Sequence, residues 1–337
     1  MFGMDPLLNM AALLFAGLLF SRLIKLLKLP NVTGFLVGGL IIGPSVLGLL
    51  STQGVESLGL ISSVALGFIA FSIGSEFKIS YFKRVGFLPI VIATFESLFA
   101  VVFVVAALAA AGQTLPFSLV LGAIAAATAP AATIMVIKQY RAKGPVTETL
   151  LSVVALDDAT ALIFFGIAVA IAQALESPQH ASLLFSVLSP VLQILAALGI
   201  GLALGAAHTL LIRFLPARHN RLVLTIAFVL TATAVAELLG LSALLTTMAM
   251  GAVFANFCKQ SAQVMELTDR FTNPIYMMFF VLSGAGLNLS ILPSIGLVGV
   301  IYVVVRVLGK MAGAWFGATL MHGPAEVRRY LGPALLP

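Results

Sequence analysis

Two adjacent aspartates, Asp157 and Asp158, lie inside a long apolar segment of this 337-residue chain. Neighbouring carboxyl groups in a poorly hydrated site cannot both ionise cheaply, because desolvation and like-charge repulsion oppose the second charge. At least one of them can therefore hold either a proton or a cation. Their hard oxygen atoms suit a small monovalent cation, and backbone carbonyls can complete its set of ligands. The pair is the first candidate for a binding site.

A second feature offers such carbonyls. The sequence Thr128-Ala129-Pro130 occupies the middle of another apolar stretch. Proline lacks a backbone N–H and clashes with the preceding turn, so we expect the helix to break at Ala129 and Pro130. Unwound backbone at membrane depth is tolerated beside protein or a water-filled cavity, and a broken helix next to an acidic helix is typical of secondary transporters. A simple proline kink is the alternative.

Two basic residues, Arg306 and Lys310, share one face of a third apolar segment, since they are four residues apart. A buried ammonium group is costly unless it is paired. We expect Lys310 to pair with one of the aspartates, so that an arriving cation would break the pair and release a proton. Structural pairing of Arg306 or Lys310 with Glu96, an acid in a fourth apolar segment, is the alternative. Glu96 and Arg306 are therefore candidates for supporting the site.

The composition indicates that these charges belong to a membrane protein. Hydrophobic residues make up 61% of the chain and charged residues 9%, against about 25% charged in soluble domains. Apolar runs that match a bilayer core about 30 Å thick predict eleven complete spans and the start of a twelfth. They are residues 6–27, 31–51, 57–76, 86–111, 116–137, 147–174, 187–212, 222–239, 241–257, 273–289 and 295–320, with the twelfth beginning near residue 326.

The basic residues predict the orientation of these spans. All but two of the 18 Lys and Arg residues fall in odd-numbered connections, which by the positive-inside rule places the N-terminus outside and the basic loops in the cytoplasm. Topology thus explains the net charge of +6, and the sequence gives no sign of a nucleic-acid partner. The single Cys258 excludes a disulfide framework, and the sequence has no ATP-binding loop or catalytic triad. We expect a transporter driven by an ion gradient and no enzyme.

Four sequence motifs resemble those of the monovalent cation:proton antiporter superfamily, in the bacterial branch of sodium/proton antiporters and potassium-efflux systems. The most specific is Leu156-Asp157-Asp158-Ala159, which is similar to the double-aspartate ion site of electrogenic members. Thr128-Ala129-Pro130 is similar to their broken helix. Supporting matches are TGFLVGGLIIGP at 33–44 and FSIGSEF at 71–77, and the resemblance extends along essentially the whole chain.

The resemblance implies an all-α polytopic membrane protein with the sodium/proton-antiporter fold. In that fold, inverted repeats place two broken helices across each other, with about 13 spans, of which about 11.5 would be present. It implies that Asp158 is the principal ligand for the cation and the proton, and that Asp157 pairs with Lys310 when no cation is bound. Thr128 would line the helix crossing. No cofactor is expected, and the only metal at the two aspartates would be the transported monovalent cation.

The resemblance also implies a single transport domain over 1–337. A core bundle of 86–174 and 295–337 would move by alternating access against a panel of 6–76 and 187–289 that forms a homodimer. We expect electrogenic exchange of protons for sodium, or for lithium or potassium, in a bacterial inner membrane. Because the chain stops where the second broken helix should begin its break, we expect a truncated transporter.

Two other functions stay open at this point. One is a potassium-efflux system or channel gated by a cytosolic nucleotide-binding domain, and the other is a sodium-coupled organic-anion symporter. The first would be favoured by a C-terminal extension, missing from this sequence, that carries a glycine-rich nucleotide-binding motif after a strand. The second would require polar and aromatic substrate contacts in the cavity.

Overall fold

The computed structural model describes residues 5–27, 29–77, 79, 86–128, 137, 141–176 and 183–336. This part of the chain is all-helical, as predicted, and contains no β-strand. Its α-helices, numbered α1 to α13 in chain order, are Pro6–Leu26, Asn31–Ile42, Thr52–Ser57, Gly59–Glu76, Leu88–Ala110, Leu115–Ala126, Pro145–Glu176, Leu183–Ile212, Arg218–Leu238, Ala243–Phe257, Ser261–Ala285, Leu292–Leu320 and Ala325–Ala334. A short 3-10 helix, Leu289–Ile291, precedes α12.

The helices pack in two groups. We call α5, α6, α7, α12 and α13 the site bundle, in which α5 packs along α12 while α7 contacts α5, α6 and α13. The remaining helices, α1 to α4 and α8 to α11, form the flanking bundle, in which α4 packs on α10, α10 on α8, and α2 on both α1 and α11. The long helix α7 also contacts α4, α8 and α10, and thus joins the two bundles.

Two apolar helices are shorter than their predicted spans. α2 and α6 contain 12 residues each, about 18 Å of helix against a hydrocarbon core of about 30 Å. α2 ends at Ile42 because Gly43, which is extended, precedes Pro44, and a residue before proline disfavours the helical conformation. α6 ends at Ala126, where Ala127 turns extended with ψ 143°. The predicted break residues, Ala129 and Pro130, lie outside the described residues.

Five of the described helices are long and apolar enough to cross a membrane by themselves. They are Pro6–Leu26, Leu88–Ala110, Leu192–Ile212, Arg218–Leu238 and Gly296–Leu320. The helix predicted at 273–289 in fact begins at Ser261 and includes Pro274. Its first turns are polar, and an exposed ion pair between Glu266 and Arg270 at 2.8 Å supports them, so a hydropathy window detects only the apolar half.

Glycines allow α5 and α12 to approach each other closely. Gly309, Gly313 and Gly317 recur every fourth residue on the side of α12 that meets α5. A Cβ atom added at Gly313 would lie 2.6 Å from the Cα atom of Glu96 and would overlap the carbonyl oxygen of Phe95. Without side chains on this stripe, the two backbones come into contact, as small residues permit in membrane helix pairs.

We expect Gly313→Ala to destabilise the protein, because the added methyl group must push α5 away from α12. Overpacking of this kind costs roughly 1–3 kcal/mol. The melting temperature in detergent should therefore fall for Gly313→Ala. Gly299→Ala on the same helix is the matched control, since nothing lies within 4 Å of its added Cβ atom. Equal melting temperatures for the two variants would contradict the close approach.

Candidate functional site

Four polar side chains from separate segments meet inside the site bundle. Glu96 comes from α5, Asp157 from α7, Lys310 from α12, and Thr128 from the extended segment that follows α6. The first three are 0% exposed and Thr128 is 3% exposed. Because ionisable groups are so costly at this depth, their convergence in one place is the clearest sign of a functional site in the described part of the chain.

Lys310 lies at the centre of this site. Its ammonium nitrogen donates to a carboxylate oxygen of Glu96, to the Thr128 hydroxyl at 2.7 Å, and to the Ala126 carbonyl at 2.6 Å. Asp157 Oδ2 lies farther away, at 3.3 Å. An ammonium group has three hydrogens, so it cannot satisfy all four acceptors at once. The bond to Asp157 is the longest, which makes it the most easily given up.

Asp157 is held from two sides. Thr128 donates its hydroxyl hydrogen to Oδ2 of Asp157, and Ser97 donates to Oδ1 at 2.8 Å. The Ser97 oxygen also lies 3.0 Å from the hydroxyl of Thr160, which donates to the Asp157 carbonyl at 2.9 Å. The aspartate therefore has ordered hydroxyl partners on both carboxylate oxygens.

Arg306 binds the C-terminal end of α6. Its guanidinium group donates to the Ala125 carbonyl at 3.1 Å and to the Ala127 carbonyl at 2.7 Å, while Lys310 takes the carbonyl of Ala126 between them. The last carbonyls of a helix have no partners within the helix and carry partial negative charge. Arg306 and Lys310 of α12 therefore supply the hydrogen-bond donors that a further turn of α6 would have supplied. This explains how α6 can end at membrane depth.

The charges at the centre do not balance. Two carboxyl groups, Glu96 and Asp157, face one ammonium group, because Arg306 donates to backbone carbonyls rather than to either acid. If both acids are ionised, these three described side chains have one negative charge in excess, which one proton or one monovalent cation would neutralise. No group of three His, Cys, Asp or Glu side chains in the described residues could hold a metal ion. Hydroxyl and backbone oxygens next to Asp157 are the other oxygen ligands that the described residues offer a cation.

The structure places the predicted residues as follows. Asp157, Thr128 and Lys310 lie together. Lys310 is shared between Asp157 and Glu96, which were expected to be alternative partners. The side chain of Asp158 lies outside the described residues. Ser97 was not predicted, although a hydroxyl group next to Glu96 in a helix that is otherwise nearly all apolar could have indicated it.

An apolar cavity of about 330 Å³ lies between the two bundles, next to this site. It borders Ala127, the neighbour of Thr128, and Ala161, which lies one turn from Asp157 on α7. On the opposite side it is lined by Ile69 and Ala70 of α4 and by Leu244 of α10.

A bundle of apolar helices that buries carboxylates around an ammonium group beside the end of a short helix is the architecture of an ion-coupled membrane transporter. The model for the transmembrane sodium/hydrogen exchanger family matches residues 10–336, so this chain belongs to that family. The predicted membership of the monovalent cation:proton antiporter superfamily is thereby confirmed, and the chain is a multi-pass membrane protein that exchanges a cation for protons.

The fold is also that of a solved structure. The sodium proton antiporter MjNhaP1 from Methanocaldococcus jannaschii, determined at pH 8, aligns with a TM-score of 0.77 and 21% sequence identity. The alignment covers 98% of this chain and 84% of that protein, which confirms the predicted antiporter fold. A comparison with curated proteins gives no match.

We expect Arg306→Gln to lower both the melting temperature and the transport rate. The glutamine amide is a donor but is shorter than the guanidinium group and cannot reach both carbonyls, and a carbonyl left without a donor costs about 1 kcal/mol or more. The melting temperature and the transport rate of Arg306→Lys should lie between those of Arg306→Gln and the wild type, because an ammonium group lacks the planar fork that reaches two carbonyls. Arg270→Gln is the control, since Arg270 is exposed on α11. A melting temperature for Arg306→Gln equal to that of the control would contradict the capping role.

Proposed function

We propose that this member of the exchanger family carries sodium in exchange for protons, and that the exchange moves net charge across the membrane. The observation that carries the proposal is the buried position of Asp157, which has ordered hydroxyl partners on both oxygens and only a long contact to Lys310. A compact oxygen-lined site of this kind suits a small hard cation. The solved antiporter of the same fold, named for sodium and protons, agrees with this choice of ion.

In the proposed cycle, Asp157 and Asp158 bind protons on one side of the membrane and a sodium ion on the other. Asp158 is assigned as the principal ligand from the family motif, and Asp157 as the residue that Lys310 releases when sodium arrives. The site bundle moves against the flanking bundle, and the cavity between them is where access changes from one side to the other. The polar site and the apolar cavity beside it support this alternating access.

The proposed stoichiometry follows from the number of carboxylates. In the proton-loaded state both aspartates are neutral and Lys310 is paired with Glu96. When the two protons leave, Asp157 pairs with Lys310 until one sodium ion displaces the lysine, so two positive charges move against one. The exchange is then electrogenic, and the membrane potential contributes to its driving force.

The proposal includes the setting of the transporter. The distribution of Lys and Arg supports an N-terminus outside and basic loops in the cytoplasm of a bacterial plasma membrane. The flanking bundle is proposed to form the homodimer, which leaves the site bundle free to move. The residues that line the cavity are apolar, and this favours a bare inorganic cation over an organic anion as the substrate.

We expect Asp158→Asn and Asp157→Asn each to abolish sodium-driven proton movement in proteoliposomes, because an amide can neither carry the proton nor neutralise the cation. Proton movement is measured with a pH-sensitive dye trapped inside the vesicles. Asp269→Asn, on the exposed side of α11, is the matched control and should exchange normally. Exchange that persists in one of the two site variants would remove that aspartate from the mechanism.

We expect an imposed membrane potential, positive on the proton-accepting side, to slow the exchange. The test uses wild-type vesicles with a potassium gradient and valinomycin, and compares sodium with lithium at several pH values. A flux that does not respond to the potential would show electroneutral exchange and overturn the two-proton stoichiometry. If exchange is faster with lithium, lithium is the preferred substrate and the proposed choice of sodium is wrong.

A further inference from the structure

Glu96 and Ser97 are adjacent on α5, and both face the cation-binding aspartate and its lysine. Resting on the sodium/proton exchange proposed above, we infer that these two residues let a cation displace Lys310 from Asp157. Glu96 keeps the ammonium group paired while Asp157 is occupied. Ser97 turns its hydroxyl hydrogen from Asp157 to Glu96 and thereby offers an oxygen lone pair to the cation.

Lys310 needs a second acidic partner if a cation is to bind at Asp157. If Lys310 were paired with Asp157 alone, a cation at Asp157 would leave a fully buried ammonium group without a counter-charge, which is strongly unfavourable. Glu96 already contacts the same nitrogen, so the lysine does not lose its last acidic partner. Displacement of Lys310 from Asp157 then breaks the 3.3 Å contact and leaves the contact to Glu96 in place.

The two acidic partners of Lys310 differ in how firmly they are held next to it. Glu96 and Lys310 come from α5 and α12, whose backbones touch along the glycines at 309, 313 and 317. Asp157 comes from α7, which reaches Lys310 only at the longer distance. The Glu96–Lys310 pair is therefore fixed by the packing of two helices, and Asp157 is the partner that can change.

Ser97 can change the acid to which its hydroxyl group donates. Its hydroxyl group has one hydrogen and two lone pairs. The oxygen lies 2.8 Å from Oδ1 of Asp157 and 3.3 Å from Oε2 of Glu96, so a rotation about one bond takes the hydrogen from the first acid to the second. After the rotation, a serine lone pair and Oδ1 of Asp157 can both face a cation.

The test measures the dependence of proton movement on sodium concentration in proteoliposomes of the whole chain. We expect Glu96→Gln to raise the KM for sodium about tenfold or more, because Lys310 then competes for Asp157 with its full charge. The kcat should stay within about threefold, since no ligand of the cation is lost. Glu96→Asp, which restores the negative charge, should recover most of the affinity.

A double variant separates competition from a merely structural role. In Glu96→Gln combined with Lys310→Met, the competing ammonium group is absent, so the sodium-induced rise in melting temperature in detergent should return towards the wild-type value. Choline chloride at equal concentration is the control for ionic strength. A sodium response in the double variant as weak as in Glu96→Gln alone would overturn the inference.

Ser97 is tested in the same way. Ser97→Ala should raise the KM for sodium several-fold, and Ser97→Thr, which keeps the hydroxyl group, should restore it. An unchanged KM in both Glu96→Gln and Ser97→Ala, with active wild-type vesicles, overturns the inference and leaves the proposed exchange intact. Wild-type vesicles that exchange protons for no alkali cation overturn the proposed function, and the inference with it.

Discussion

The buried ammonium group of Lys310 is the constraint on which the arrangement of the site bundle depends. A cation that is 0% exposed must be surrounded by acceptors, and here they come from α5, from α7 and from the end of α6. Three helices must therefore converge on one point of α12. The glycine stripe on α12 makes this convergence possible, because it lets the backbone of α5 approach closely enough for Glu96 to reach the lysine.

The end of α6 depends on the same helix. A helix that stops at membrane depth leaves several carbonyl groups without partners, and lipid offers none. Arg306 and Lys310 provide those partners on successive turns of α12. Each cation stabilises the break, and the break in turn provides acceptors that two buried cations require. This mutual pairing explains why the end of α6 and the two cations of α12 lie side by side in this exchanger.

Part of this arrangement could be predicted from sequence, because charges are rare in a chain with 9% charged residues and each one at membrane depth demands an explanation. The sequence therefore predicts that the polar groups of the site include Asp157, Asp158, Lys310, Glu96 and Arg306. It could not assign their partners, since glycine spacing shows that α12 packs closely on something but not that its neighbour is α5. Ser97 was missed because a hydroxyl residue is unremarkable in an apolar helix. The predicted lengths of some helices were wrong for a different reason. Hydropathy windows average across the ends of α2 and α6, and they do not detect the polar first turns of α11.

The position of the cavity between the bundles separates two properties of the transporter. The polar contacts described around Asp157 and Lys310 are all made within the site bundle, whereas half of the cavity wall belongs to α4 and α10 of the flanking bundle. Under the proposed alternating access, a sliding movement between the bundles would therefore leave the described distances around Asp157 and Lys310 unchanged. In such a design the choice of ion is determined on one side of the interface and the speed of exchange on the other. Natural variation in Ile69, Ala70 or Leu244 could then adjust the turnover rate without altering which ion is carried.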